Sequence, residues 1–264
     1  MSQSLSADAS IFARRNAAHI RQIPEKLIDV TLQPIMFVLL FAYVFGGVID
    51  VPGSNYREYL IGGILVQSLA FGMMGPGTAI ATDLREGVIE RFRSLPVSRA
   101  AYLIGHLVSE VGASLIALTI LTGSGLLVGW RPHEDVLHVA GGFGLLILFS
   151  ITMIWIGTLL GLISRSADGV QGLIFMTIFP LTFLSNAFVP AEGLPAALET
   201  FSNYNPVSTV VSAVRTLFGN ATATPDGAPW TLQHPVVSAV GSCLLLLAIV
   251  VPLTLARYRA RTTD

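Results

Sequence analysis

The chain has 264 residues, of which 53% are hydrophobic and only 12% are charged. Soluble domains carry about 25% charged residues, so this composition indicates an integral membrane protein and excludes intrinsic disorder. The formal net charge of −1 provides no basic surplus for nucleic-acid binding. The single cysteine, Cys243, excludes an internal disulfide and a cysteine-rich metal site.

Residues 1–29 form a polar arm before the first apolar segment. The arm has no apolar core of signal-peptide length, so we expect it to be retained. Ile20, Ile23 and Leu27 recur at helical spacing among basic residues, which predicts an amphipathic helix at the membrane interface. The alternative is a loosely bound arm whose cations only set the topology.

Six segments are apolar and long enough to cross a hydrocarbon core of about 30 Å as helices. The predicted spans are Val30–Ile49, Tyr59–Thr82, Val111–Trp130 with an apolar approach from Ala100, Val136–Ser164, Gly169–Ala191, and Gly227–Ala256, whose apolar part starts near Pro235. They make one transmembrane domain over residues 30–256, followed by a basic tail at residues 257–264. The predicted fold class is therefore an all-α integral membrane protein with six transmembrane helices.

Two glycine pairs in these spans are spaced for close helix packing. Gly125 and Gly129 lie in the third span, and Gly157 and Gly161 lie in the fourth. Small residues four positions apart share a helix face and let a second backbone approach it. Such pairs are common in membrane helices, so the pattern permits close contacts without naming the partner helix.

The loop between the second and third spans is predicted to form a short amphipathic helix over residues 83–95. Its apolar residues recur at helical spacing, with charges of both signs between them: Leu84, Val88, Phe92 and Leu95. Pro96 closes the helix. Such a helix either rests at the headgroup boundary or acts as a lever that docks into a partner protein.

The third span carries two ionisable side chains. His106 and Glu110 are four residues apart and therefore share one helix face. A charge at the bilayer centre costs about 2.5–3.5 kcal/mol on insertion scales, so we expect the pair at interface depth or beside a cavity. Two interpretations stay open: a structural pair satisfied by neighbouring groups, or a pair that contacts substrate or gates its pathway.

The segment Glu192–His234, between the fifth and sixth spans, is polar and interrupted by proline, glycine and charged residues. We predict that it does not cross the membrane and is external or re-entrant, because irregular backbone cannot face lipid. Within it, Asn220-Ala221-Thr222 matches the glycosylation sequon, a pattern that also arises by chance.

The basic residues predict the orientation. Twelve of the 15 lysines and arginines lie in the arm, in the loops after the second and fourth spans, or in the tail. The positive-inside rule therefore places both termini in the cytoplasm. No cytoplasmic segment is long enough for a soluble domain, so work done in the cytoplasm requires another polypeptide.

The sequence lacks the motifs of several enzyme classes. Its only lysine, Lys26, is not in a P-loop, so this chain cannot use that motif to hydrolyse ATP. The five histidines are scattered without a zinc-binding spacing, and no Gly-x-Ser-x-Gly elbow is present. We predict no catalytic residue, no metal site and no cofactor on this chain.

Three groups of residues carry a resemblance to a known family: Pro34 with Tyr43-Val44-Phe45-Gly46-Gly47; Arg85-Glu86-Gly87 through Glu90-Arg91 to Leu95-Pro96-Val97-Ser98-Arg99; and Phe183-Leu184-Ser185-Asn186-Ala187-Phe188-Val189-Pro190 followed by Leu194-Pro195 and Asn205-Pro206. Their order resembles the type-2 ABC exporter permeases, in particular the daunorubicin/doxorubicin-resistance-like permeases of bacteria. The resemblance covers essentially the whole chain, and the third group is its most specific part.

The resemblance implies a half-exporter in the bacterial plasma membrane. In that family two permeases, identical or sister subunits, associate with two ATPase subunits that bind ATP and Mg²⁺. The arm would be a connecting helix, and residues 83–95 would be a coupling helix in the ATPase cleft. Its coupling residues would be Leu84, Arg85, Glu86, Val88, Glu90, Arg91 and Phe92.

The resemblance also implies that residues 187–218 are a pair of re-entrant helices on the outer side. The motif residues of this segment are Asn186, Phe188, Pro190, Pro195, Asn205 and Pro206.

The expected substrate is a hydrophobic or amphipathic compound. Residues available to line an adaptable pathway are Phe37, Phe41, Tyr43, Phe71, Met73, Met74, Phe175, Met176 and Phe179. Export of a lipid or a polysaccharide precursor is the alternative within the family. A proton-coupled secondary transporter using His106 and Glu110 is the alternative from another class.

Overall fold

The computed structural model of the chain describes residues 35–45, 49, 51, 55–87, 99–164, 166–191, 194–222 and 227–263. The elements in these ranges are helices, with no strand among them, as the composition predicts. In chain order they are α1 (Ile35–Val44), α2 (Tyr56–Phe71), α3 (Met74–Arg85), α4 (Arg99–Val128), α5 (Val136–Ile163), α6 (Ala167–Phe183), α7 (Ala196–Tyr204), α8 (Pro206–Phe218), α9 (Trp230–Gln233) and α10 (Pro235–Thr263). A π-helical turn, Phe41–Phe45, overlaps the end of α1 and extends one residue beyond it.

Four stretches of the described residues are long and apolar enough to cross a membrane: Tyr56–Arg85, Leu103–Val128, Val136–Ile163 and Pro235–Ala260. They correspond to the second, third, fourth and sixth predicted spans. Within the described ranges, α1 and α6 are shorter apolar helices. The count of six spans and the side of each terminus stay predictions.

The fifth predicted span differs from the structure at its end. It was expected to run to Ala191, but α6 ends at Phe183. The hydroxyl of Ser185 donates to the Thr182 carbonyl at 2.6 Å and accepts from the Ala187 amide at 3.1 Å. A serine side chain thus replaces the helical hydrogen bonds and turns the chain out of the helix. At about 1.5 Å per residue, the 17 residues of α6 extend about 26 Å.

The predicted helix over residues 83–95 also differs at its start. Asp83, Leu84 and Arg85 form the last turn of α3, which continues the second span. Gly87 has a φ of +67°, a left-handed conformation that ends an α-helix readily. The rest of that predicted helix, including Val88, Glu90, Arg91 and Phe92, lies outside the described residues, as does the arm at residues 1–29.

Helix α5 packs directly against the backbone of the second span. A Cβ atom at Gly157 would overlap the Met73 carbonyl, and one at Gly161 would lie 2.5 Å from the Gly77 carbonyl oxygen. The predicted small-residue pair in the fourth span therefore makes the close contact that its spacing permits.

The spans have two distinct ends. At one end, called the loop end, Ile80, Leu103, Leu162 and Tyr258 form a small buried cluster. At the opposite end, called the cap end, α8 contacts α2, α5 and α10, and α7 and α9 pack against α8 to form the cap. The topology prediction places the cap end outside the cell.

Substitution of Gly157 tests the close contact. We expect Gly157→Ala to destabilise the protein by about 1–3 kcal/mol, because the new methyl group meets a backbone carbonyl that cannot rotate away. The measurement is the unfolding midpoint of detergent-solubilised protein. Gly144→Ala is the matched control, because Gly144 lies on the same helix and its added Cβ would meet nothing within 4 Å. Equal midpoints for the two variants would contradict the contact.

Candidate functional site

The cap begins with a sharp reversal at the Asn205-Pro206 motif. The Asn205 side chain accepts the Val207 amide at 2.9 Å and donates to the Leu181 carbonyl at 2.7 Å. It caps the start of α8 and also ties the cap to the last turn of α6. Pro206 occupies the first position of α8, where its missing N–H has no intrahelical partner to lose.

Asn186 fixes the non-helical chain after α6 to the same helix. Its backbone N–H donates to the Ser208 hydroxyl at 3.1 Å, and its side-chain N–H donates to the Ser212 hydroxyl at 2.8 Å. Both serines lie on α8, four residues apart and on one face. The Ser-Asn part of the family-like motif thus ends α6 and attaches the following segment to α8.

Arg215 joins α8 to the second span and to the segment after α6. Its Nε donates to the Tyr59 carbonyl at 2.8 Å, and its Nη2 donates to the Ala187 carbonyl at 3.0 Å. The guanidinium carbon lies 3.4 Å from the centroid of the Tyr59 ring, within cation–π distance. Arg215 is only 2% exposed. Burial lowers the pKa of its guanidinium, which nevertheless stays charged at physiological pH.

Tyr59 completes this connection through its hydroxyl, which donates to the Asn186 carbonyl at 2.5 Å. One residue away, Glu58 lies 3.0 Å from the His133 imidazole. A Cβ atom at Gly63, one turn further along α2, would overlap the Ala187 carbonyl. The second span and the cap therefore meet along a backbone contact that only glycine permits.

A second connection joins the cap to the loop between α4 and α5. The indole N–H of Trp130 donates to the Asn220 side-chain oxygen at 2.9 Å, and the Asn220 amide donates to the Arg131 carbonyl at 3.0 Å. Asn220 is 3% exposed. Because both ends of its amide are used in the interior, the sequon at this position marks a structural asparagine.

A cavity of about 240 Å³ lies between these connections. Tyr59 and Arg215 line it together with Pro190, Ala191, Ala221, Leu232 and Pro235. The polar side chains that line it are Asn186, Asn203, Ser212, Thr216, Thr222 and Gln233. Thr216 and Gln233 are exposed, so the cavity opens to the surface of the cap.

A continuous series of phenylalanine rings in stacked, tilted and edge-on contact, here called the aromatic ladder, runs from the end of α2 along α6 to α1. Neighbouring ring centroids are 4.3–5.8 Å apart, in the order Phe71, Phe175, Phe179, Phe183, Phe188, Phe41 and Phe37. The three central rings of α6 are between 36% and 53% exposed, whereas Phe188 is 3% exposed. The aromatic ladder thus presents ring faces and edges on one side of the protein and is anchored under the cap at its other end.

The structure brings together five of the nine residues predicted to line a pathway, namely Phe37, Phe41, Phe71, Phe175 and Phe179. It separates the others. Met73 is buried against α5, Met74 packs partly buried against the hydrophobic core, and Tyr43 and Met176 are exposed outside the ladder. The sequence analysis did not include Phe183 and Phe188 in the pathway, although their spacing from Phe179 was visible in the sequence.

The predicted pair in the third span lies near the loop end, facing α3. His106 is 6% exposed, and Asp83 of α3 lies near its imidazole. The Glu110 carboxylate packs against Gly75, where an added Cβ atom would lie 3.0 Å from Oε2. The pair therefore faces the second span and not the lipid, and its role in transport stays a prediction.

One group of possible metal ligands occurs at the start of α5. Glu134, Asp135 and His138 offer ligand atoms within 4.8 Å of one another, and all three side chains are exposed. Asp135 caps α5 by accepting the His138 amide at 3.0 Å. The His138 amide and imidazole lower the pKa of the Asp135 carboxyl from its ordinary value. These contacts explain the cluster as a helix cap, and we assign no ion to it.

Comparison with known proteins identifies the family of the chain. Residues 9–218 match the model of the ABC-2 type transporter family. The chain belongs to the ABC-2 type transporter family. As an ABC-2 permease, it is a membrane transport protein, and the family provides no catalytic residues on this subunit.

Its similarity to curated permeases extends over most of the chain. It is 32% identical to the daunorubicin resistance ABC transporter permease protein DrrB1 of Streptomyces coeruleorubidus, over 90% of this chain and 81% of that protein. It is 27% identical to the doxorubicin resistance ABC transporter permease protein DrrB of Mycobacterium tuberculosis, over 85% and 80%. The inner membrane transport permease YadH of Escherichia coli is 22% identical over 75% and 79%.

Sequence reasoning did not identify the two central residues of the cap. Arg215 was only one of the charged residues that interrupt the predicted non-spanning segment Glu192–His234, and Tyr59 was only the start of a span. The arginine itself could have indicated a buried contact, since a lone cation in an apolar helix needs buried partners.

Removal of the Tyr59 hydroxyl tests the attachment of the cap. We expect Tyr59→Phe to lower stability by about 1–3 kcal/mol, because the Asn186 carbonyl loses its buried donor. The measurement is the thermal unfolding midpoint of the purified permease. Tyr43→Phe is the matched control, because Tyr43 is 62% exposed and keeps its ring over Arg57. Equal effects of the two substitutions would show that the Tyr59 hydroxyl contributes nothing to the cap.

Proposed function

We propose that this permease is the transmembrane subunit of an ATP-driven exporter in the bacterial plasma membrane. It moves hydrophobic or amphipathic compounds out of the cytoplasm or the inner leaflet. A separate ATPase subunit binds ATP and Mg²⁺, and a second permease copy or a sister permease completes the membrane part. Membership of the ABC-2 family and the absence of a P-loop from the sequence support this division of labour.

The aromatic ladder is the observation that supports a hydrophobic or amphipathic substrate. Its exposed rings offer a large apolar surface that stacks on flat or hydrophobic molecules without requiring specific hydrogen bonds. The relatives from Streptomyces coeruleorubidus and Mycobacterium tuberculosis are named for resistance to daunorubicin and doxorubicin. An aromatic surface of this kind suits such compounds, and we extend the substrate class to this chain on that basis.

The loop end supplies a route by which an ATPase moves the spans. Ile80 and Leu84 of α3 precede residues 88–98 in the sequence, and Leu103 of α4 follows them. These three side chains pack together. The same cluster contains Leu162 of α5 and Tyr258 of α10. Because a packed cluster moves as a unit, a force on residues 88–98 displaces four spans together.

The force then reaches the cap through the second span. This span contacts α5 at Gly157 and Gly161, and its other end contacts the cap at Tyr59 and Gly63. ATP-driven closure of the partner subunits therefore shifts the equilibrium between two arrangements of the cap and the permease seam.

Charge substitution in the coupling segment tests the partner. We expect the double substitution Val88→Asp with Phe92→Asp to abolish ATPase association and transport, since it places two carboxylates in an apolar docking stripe. The measurement is co-purification of an ATPase in mild detergent, with nucleotide-dependent transport in vesicles.

Val136→Asp is the matched control for this substitution. Val136 is 87% exposed at the cap end, on the first turn of α5, where a carboxylate is favoured by the helix dipole. We expect this control to insert, bind the ATPase and transport. Transport by the double variant at the control level would eliminate the coupling role of residues 83–95.

Truncation in the aromatic ladder tests the substrate class. We expect Phe179→Ala to raise the drug concentration for half-maximal ATPase stimulation about three- to tenfold, because one ring stack is worth about 0.5–1.5 kcal/mol. Met176→Ala is the matched control on α6, because Met176 is 81% exposed and outside the ladder. If both variants leave the half-maximal concentration unchanged, the ladder is not the substrate surface.

A further inference from the structure

The cavity of the cap contains a cation without a counter-ion among the described residues. Arg215 lines it and is 2% exposed. Arg215 takes part in none of the ion pairs found between described residues, which include His133 with Glu58 and His138 with Glu134 and Asp135. The described lining of the cavity contains no aspartate or glutamate.

The hydrogen bonds of Arg215 do not neutralise this charge. A guanidinium has five N–H donors, and the carbonyls of Tyr59 and Ala187 accept only two of them. Carbonyl dipoles and the Tyr59 ring reduce the cost of burial but add no negative charge. A buried cation without an anion is costly, and the cost is relieved when an anion binds beside it.

A second polar group in the cavity is also incompletely paired. The side-chain oxygen of Asn186 is buried and has no hydrogen-bond partner within the described part of the chain. Rotation of this amide exchanges its oxygen and nitrogen, and the Ser212 hydroxyl then donates where it accepted before. The same side chain can therefore present an N–H donor at the position of the unpaired oxygen.

We propose that this cavity binds an oxyanion, a phosphate or a carboxylate, with Arg215 as its charge partner. Guanidinium groups bind both anions through parallel N–H donors, and Asn186 provides a neutral donor beside them. The volume of about 240 Å³ has room for such a group with part of the molecule that carries it. The anion comes either from the headgroup of a lipid or from a soluble phosphate or carboxylate compound.

This site bears on the substrate class of the proposed exporter, although binding is independent of transport. An amphiphile with an anionic headgroup places that headgroup in the cavity, whereas a cationic drug contacts the aromatic ladder alone. Anion binding in the cavity does not depend on the proposed function. Only its connection to export rests on that function. The protein can therefore fail to bind an anion and still associate with an ATPase, or bind an anion without associating with an ATPase.

Ser212 allows the site to be filled without removing Arg215. It lies three residues before Arg215 on α8, lines the same cavity and accepts the Asn186 amide. In Ser212→Asp a carboxylate can accept that amide and also neutralise the guanidinium. Ser212→Asn has nearly the same size without the charge and is the matched control.

The experiment uses the full chain, purified in neutral detergent together with whatever subunits accompany it. The first measurement is the thermal unfolding midpoint against inorganic phosphate, with chloride at equal ionic strength as reference. The second is the midpoint in nanodiscs of phosphatidylcholine, with and without phosphatidylglycerol. Midpoints without added anion show whether both variants fold.

We expect the wild type and Ser212→Asn to be stabilised by phosphate, by phosphatidylglycerol or by both, and Ser212→Asp to respond at least tenfold more weakly. A response to free phosphate identifies a soluble oxyanion, and a response confined to phosphatidylglycerol identifies a lipid headgroup. Either pattern supports the site. Equal responses of Ser212→Asp and Ser212→Asn, or a wild type that responds no more than to the chloride and phosphatidylcholine references, would overturn it.

Discussion

The cap depends on the requirement that every buried backbone polar group finds a partner. Helix α6 ends at Phe183, and the chain then runs without helical structure past Asn186 and Ala187. In an apolar environment such backbone is tolerated only where protein groups satisfy it. Asn186, Asn205 and Arg215 supply these hydrogen bonds from their side chains. The non-helical chain in the cap therefore requires these polar side chains, because they supply its hydrogen bonds.

The same requirement explains why part of the fold could be predicted from the sequence. Long apolar segments leave a helix as the only way to satisfy their backbone, so α2 with α3, α4, α5 and α10 overlap four of the predicted spans. Gly157 and Gly161 could also be recognised by their spacing, although the partner backbone could not. Hydropathy does not record where a serine side chain ends a helix, and for that reason the end of α6 was misplaced.

The candidate site was less predictable because its geometry is made by residues far apart in sequence. Arg215 and Tyr59 are separated by 156 positions. No local pattern connects them, and an arginine in an apolar segment gives no indication of which carbonyl it contacts. The aromatic ladder was partly predictable, since Phe175, Phe179 and Phe183 recur every four residues on one helix. Its continuation through Phe188 to Phe41 is a tertiary contact.

Arg215 and the aromatic ladder are adjacent surfaces of different character. The first suits the anionic head of an amphiphile, and the second suits its apolar body. The aromatic ladder reaches the cap through Phe188, and the chain at Ala187 is bonded to Arg215. An apolar body stacked along α6 therefore points toward a cation at the cap end. A compound with an anionic head and an aromatic or aliphatic body satisfies both surfaces at once, whereas a compound with a cationic head satisfies only the ladder. Gly63 and Tyr59 join the second span to this same corner. In the proposed exporter, a movement of that span would therefore change the distance between the two surfaces and with it the affinity for such a compound.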